Sequence, residues 1–205
     1  MRIIWVRHGE SVANREGRFS STPPGAPLSD LGHHQARLTA EIVATATPTA
    51  VYASPFLRTC QTADPIARAL GLVVTVAEEL REVDLGAWDG RKLSEIHEND
   101  GDALAAWGQD PEANPPPGGE RVGSVWRRVH ELIGRWERVH AADTIVAVTH
   151  ADVIATVLLS ALGAPLCVRH RLPIPNACIL VTGTTAGGDV AVLGFTGPGT
   201  IVSAS

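Results

Sequence analysis

Residues 7–11 read Arg-His-Gly-Glu-Ser and follow directly on the apolar run Arg-Ile-Ile-Trp-Val. Further hydrophobic residues would prolong a strand, and an ordinary polar cluster would end it in a turn, but a histidine beside an arginine also offers chemistry. A phosphate monoester dianion repels anionic nucleophiles, whereas a neutral imidazole nitrogen attacks phosphorus inside a cationic cage without that penalty. Positive neighbours lower an imidazole's pKa and keep it unprotonated near neutrality. Guanidinium forks also match the equatorial oxygens of a transferring phosphoryl group. Arg7, His8, Arg58 and His150 are the residues of the right types. Such a cage supplies its own charge stabilisation, so the chemistry asks for no cofactor and no metal. It does ask for a proton donor to the departing alkoxide, and in "EELREVD" the carboxylates of Glu78, Glu79, Glu82 and Asp84 compete for that role.

The elements must bring these groups together. Short β-branched runs at 2–6, 50–54, 73–76 and 144–150 alternate with helical patterns, which predicts α/β architecture: a mostly parallel sheet covered on both faces. A helix from about Ser29, with Ser29 as N-cap, carries Leu31, Leu38, Ile42 and Val43 on one face. Another is predicted from Ser54-Pro55, cap then first-turn proline, to Gly71. A third carries Val125, Val129, Leu132, Ile133 and Trp136. "CILVTGT" and "VAVLGF" flank "AGGD", a predicted hairpin that gives the sheet an antiparallel edge. Arg7 and His8 then follow one strand, Arg58 lies in the first turn of the helix after a second, and His150 ends a third. Ligands bind beyond the carboxyl ends of such strands. One arginine or one histidine alone is most often a surface or capping residue; it is the convergence that points to a site. His33, His34, His97, His130, His140 and His170 lack such placement.

Five stretches, "RHGESVAN", "SPFLRTCQTA", "LREVDLGAWDG", "PPGGER" and "VTHADVI", occur in an order and spacing that resembles the histidine phosphatase superfamily, also called phosphoglycerate mutase-like, over nearly the whole chain. The resemblance implies a three-layer α/β/α sandwich. It also implies His8 as the phosphorylated nucleophile, Arg7, Arg58 and His150 as the phosphate pocket, Asn14 and Ser20 as further phosphate-binding residues, and Glu82 as proton donor. Two departures bear on the substrate. "SSTPPGAPLSDLG" lacks the aspartate that many relatives carry before the Pro-Leu pair, and Cys178 stands where a serine is frequent. Dedicated mutases of the family carry a longer insertion after the glutamate with an "ERHYG"-like motif. "REVDLGAWDG" with its shorter insertion is closer to the phosphatase branches, so a metal-independent phosphomonoesterase is expected, ahead of a phosphoglycerate mutase or a silent phosphate-binding module.

The bounds agree with that expectation. The 205 residues, 44% hydrophobic, suit one domain over 1–205. A lid-like insertion at about 86–120 closes on the proline- and glycine-rich run "DPEANPPPGGE". There Trp88, Leu93, Ile96, Leu104 and Trp107 either pack the insertion down or line an apolar lid. A net charge of −5 argues against nucleic acid or an anionic membrane as partner and allows a small phosphorylated substrate. A homodimer is one option for the assembly. The chain enters a strand at once with no signal-peptide pattern, and "VIATVLLSAL" is too short to span a bilayer, so a cytoplasmic location is expected. Cys60, Cys167 and Cys178 lack metal or disulfide spacing and read as buried small hydrophobes.

Overall fold

The computed structural model describes residues 1–184 and 190–197. Six strands form one sheet: β1 (Arg2–Arg7), β2 (Ala50–Ala53), β3 (Val74–Val76), β4 (Thr144–Thr149), β5 (Ile179–Thr184) and β6 (Val190–Thr196). Their order is β3-β2-β4-β1-β5-β6. The pairs among β1 to β4 are parallel, while β5 runs antiparallel to β1 and β6 antiparallel to β5. The expected antiparallel edge is present, and the "AGGD" turn itself lies outside the described residues.

Strands β1 and β4 are apolar without interruption because both of their faces are covered. Ile3, Trp5, Ile145 and Ala147 point into one core layer, and Ile4, Val6, Val146 and Val148 into the other. The first layer holds α6 (Val122–Val139) and α7 (Ala151–Ala161); the second holds α2 (Asp30–Ala44) and α3 (Leu57–Leu70). The remaining helices are short: α1 (Val12–Arg15), α4 (Leu93–Asn99) and α5 (Gly101–Gln109). On α6 the five residues expected to face the core are all buried.

Two expected helix features are corrected. In α2 the cap is Ser29, whose hydroxyl accepts from the Gly32 amide at 3.1 Å. The buried stripe, however, is Gly32, Ala36, Thr39, Ala40 and Val43, while Leu31 and Leu38 are 51% and 41% exposed. Here small residues let α2 approach α3 and the loop after β1 closely, a packing that a search for large apolar side chains does not see. In α3 the N-cap is Phe56 rather than Ser54, with no side-chain cap. The Leu57 amide donates instead to the Pro24 carbonyl at 2.8 Å. Gly71 closes the helix in the left-handed region as expected, at φ 67°.

Of the insertion's hydrophobic residues, Trp88, Ile96 and Trp107 are buried in the main core, Leu104 packs against it, and Leu93 is exposed. Of the cysteines only Cys178 is buried; Cys60, packed against the second layer, and Cys167, in the 3-10 helix Leu166–Arg171, keep part of their surface. Among the described residues no helix is long and apolar enough to cross a membrane.

Candidate active site

The parallel register sets Arg7 opposite Thr149, so the residues that follow them, His8 and His150, emerge side by side at the carboxyl end of the sheet. The His8 amide donates to the Thr149 carbonyl at 3.0 Å, and the two imidazole centroids are 5.3 Å apart. His150 is the N-cap of α7. Strand β2 pairs with the far side of β4 and delivers α3, whose second residue is Arg58.

His8 is buried, and both ring nitrogens are committed. Nδ1 lies 2.7 Å from the Gly9 carbonyl, to which it can only donate, while Nε2 accepts from Arg58 Nε at 3.0 Å. The ring is therefore neutral with its lone pair on Nε2. Burial holds its pKa well below the usual histidine value, and the positive charges of Arg58 and then Arg7 push it in the same direction. His150 has the opposite tautomer. Its Nδ1 accepts from Arg58 Nη2 at 3.0 Å and its Nε2 donates to Ser54 Oγ at 2.7 Å. Burial, Arg58, His8 and Arg7 hold it well below the ordinary value too.

Arg58 thus reaches both histidines. It also donates to the Ser20 carbonyl at 2.9 Å and the Ser20 hydroxyl at 3.3 Å, and its guanidinium sits 4.4 Å above the Phe56 ring centroid. Burial lowers its pKa to about 10, which leaves it charged at neutral pH. Arg7 donates through Nη1 to the Ile174 carbonyl, while its buried Nε has no partner among the described residues.

These groups line a cleft of about 180 Å³ together with Asn14, Phe19, Leu85, Trp107 and Asp152. That is small beside the roughly 300–1,000 Å³ of common ligand pockets, so it fits a phosphoryl group and a few attached atoms. Glu82 stands on its wall, in the irregular segment after β3. Burial raises its pKa to about 7 and the Asp152 carboxylate adds to the rise, against Arg58, the Val83 amide and Arg7, which pull it down. Asn14 is held by its oxygen. Oδ1 accepts from the Ser11 amide and hydroxyl at 3.1 and 3.0 Å and from Asn176 Nδ2 at 3.1 Å, leaving its own amide hydrogens for a ligand oxygen. The structure therefore places Arg7, His8, Asn14, Ser20, Arg58 and Glu82 on one cleft, with His150 directly behind it.

A family model of the histidine phosphatase superfamily, branch 1, matches residues 3–195. The chain belongs to that superfamily. It is 34% identical over 193 residues to a bifunctional protein of Mycobacterium tuberculosis, covering 93% of this chain and 52% of that protein, so it spans about half the length of this curated relative. It is 31% identical to phosphoserine phosphatase 1 of Hydrogenobacter thermophilus, over 81% of this chain and 78% of the relative. Among solved structures, a mycobacterial glucosyl-3-phosphoglycerate phosphatase in complex with VO3 superposes with a TM-score of 0.85 at 27% identity, covering 93% of this chain and 96% of that one.

In this histidine phosphatase domain several residues in or behind the cleft are not marked by the sequence. Ser54, expected as a helix cap, spends its hydroxyl on His150. Asp152 lines the cleft and pairs with Arg169, whose guanidinium lies 4.0 Å above the Trp107 ring centroid. Asn176 joins Asn14 to the His8 carbonyl, which it reaches at 3.2 Å. For Asp152 there was a signal, two positions after His150 in the first turn of a helix; Arg169, in the 3-10 helix Leu166–Arg171, and Asn176, in the turn before β5, carry none.

Proposed function

We propose that this protein is a phosphomonoesterase that hydrolyses small phosphorylated metabolites through a phosphohistidine on His8. The observation that carries the reading is the His8 ring itself: neutral, buried, its Nε2 lone pair directed at Arg58 in a cleft floored by Arg7. A phosphate oxygen entering the cleft takes over the Arg58 Nε hydrogen and frees that lone pair. Nε2 then bonds to phosphorus as the ester P–O bond breaks, with Arg7, Arg58, Asn14 and Ser20 receiving the equatorial oxygens and His150 bracing Arg58. Glu82, protonated near neutrality, hands its proton to the leaving alkoxide. In the second step the Glu82 carboxylate takes a proton from water, the water oxygen bonds to phosphorus, the P–N bond breaks, and neutral His8 and inorganic phosphate result.

Several observations support this reading. Relatives named as phosphatases match over most of their length, and one was solved with VO3, an oxyanion of the phosphate class. The net charge of −5 and the small cleft favour a small anionic ester over nucleic acid or a membrane. Three unpaired thiols agree with a reducing, cytoplasmic setting. The test is a panel of metabolite phosphates assayed in EDTA, with conversion of 3- to 2-phosphoglycerate followed beside it. Release of inorganic phosphate undiminished by the chelator is expected. Loss of activity in EDTA with recovery on a divalent ion, or isomerisation faster than hydrolysis, contradicts the proposal.

A further inference from the structure

The segment that carries Glu82 has almost no regular structure, only a single 3-10 turn over Glu78–Leu80 after β3. Its backbone carbonyls still need donors, and side chains supply them. Thr149, the last residue of β4, gives its hydroxyl to the Leu80 carbonyl at 2.7 Å. Arg128, on α6, donates through Nη1 to the Glu79 carbonyl and through Nη2 to the Glu82 carbonyl at 3.2 Å. The rest of the guanidinium is gripped by Glu120 at the end of the insertion: Nε to Oε1 and Nη2 to Oε2, both 3.1 Å, with side chains only 11% and 12% exposed. Glu120 is tied to the same segment from its own side, its amide donating to the Asp84 carbonyl at 2.8 Å.

We infer that Arg128, locked by Glu120, is a positioning residue for proton transfer, fixing the main chain of Glu82 so that its carboxyl meets the leaving oxygen. The inference rests on the reading of Glu82 as the acid. The guanidinium reaches the carbonyl of Glu82 itself and that of Glu79, three residues before it, while Glu120 holds its Nε edge, a task that needs a rigid planar fork and not merely a positive charge. A lysine offers one point charge and cannot hold Glu120, Glu79 and Glu82 in one geometry.

The experiment compares kcat/KM for an alkyl phosphate and for p-nitrophenyl phosphate, whose leaving group departs without a proton. The proteins are the wild type, Arg128→Lys, Glu120→Gln, Glu82→Gln and the Arg128→Lys/Glu82→Gln double variant. Arg128→Lys and Glu120→Gln are expected to lose about 10²-fold on the alkyl ester, the cost of a displacement on the order of an ångström. They should lose little on the aryl ester and keep the wild-type affinity for vanadate. In the Glu82→Gln background the Arg128→Lys loss should vanish, since two residues acting on one proton transfer are not additive. Equal losses on both esters, or an undiminished loss in the double variant, overturns the inference. If Glu82→Gln itself shows no selective loss, the proposed acid is wrong and the inference falls with it. A selective loss in Glu82→Gln with none in Arg128→Lys overturns the positioning role alone. Should Arg128→Lys not fold, Glu120→Gln, which keeps the side chain's volume, meets the same criteria.

Discussion

Glu82 has to be an acid in one half of the proposed cycle and a base in the other, and a pKa raised to about 7 by burial and by Asp152 suits both near neutrality. Glu82→Gln should therefore lose about 10² to 10⁴ in kcat/KM on an alkyl phosphate and far less on p-nitrophenyl phosphate. The wild-type profile for the alkyl ester should fall as pH rises through about 7, and that limb should flatten in the variant. A selective loss in Asp84→Asn instead would name a different acid. The same raised pKa has a consequence for stability. The folded chain holds the Glu82 proton at pH values where the unfolded carboxyl, near 4.5, has released it, so this residue's contribution falls as pH rises from about 4.5 to about 7. His8 and His150 act on the other side. Their folded pKa values lie well below 6.5, so below that pH the unfolded imidazoles bind protons that the buried ones refuse, and stability falls on acidification. Thermal melts of Glu82→Gln should accordingly gain on the wild type more at pH 8 than at pH 5; an equal difference at both would refute the assigned titration.

At the scale of elements, the sheet was legible and the helix faces less so. The uninterrupted apolar runs of β1 and β4 announce burial on both sides, and the order of strand and helix puts Arg7, His8, Arg58 and His150 at one end. Legibility failed where contact is made by small residues or by irregular backbone. Leu31 and Leu38 look like a core stripe, yet α2 turns Gly32 inward. A Cβ on Gly32 would stand 2.0 Å from the Glu10 carbonyl oxygen, and one on Gly9 would stand 2.5 Å from the Gly32 carbonyl oxygen. The glycine after His8 is thus half of a backbone-to-backbone contact that seats the His8 loop on α2, a requirement that no periodicity records. Gly32→Ala is expected to destabilise the protein by about 1–3 kcal/mol, the usual cost of overpacking, and to lower turnover on alkyl and aryl esters alike because His8 shifts with its loop. Denaturant unfolding together with both assays checks this; an unchanged midpoint would mean that the contact relaxes freely.

The whole molecule concentrates buried positive charge in a net-negative chain: Arg7 and Arg58 both carry the cost of burial that lowers their pKa values. An oxyanion in the cleft offsets that cost, and anything that binds only the folded state raises its stability, by about 2.7 kcal/mol at a hundredfold excess over Kd. Vanadate should therefore raise the melting temperature of the wild type in a concentration-dependent way and that of Arg58→Ala hardly at all, with magnesium ions and EDTA both without effect. A magnesium-dependent shift would instead argue for a metal partner in the cleft. The insertion that packs Trp107 beside the cleft marks how far sequence alone could go: its apolar residues were legible, while which of them lines the cleft was decided by tertiary packing. The proposed cycle turns on one covalent bond. Mixing the protein with a radiolabelled phosphate ester, quenching in base within the first turnovers and mapping the labelled peptide measures it directly. Base-stable, acid-labile label is expected on the peptide that contains His8, and none in His8→Ala; label on another residue, or full turnover by the His8→Ala protein, would rule out the phosphohistidine.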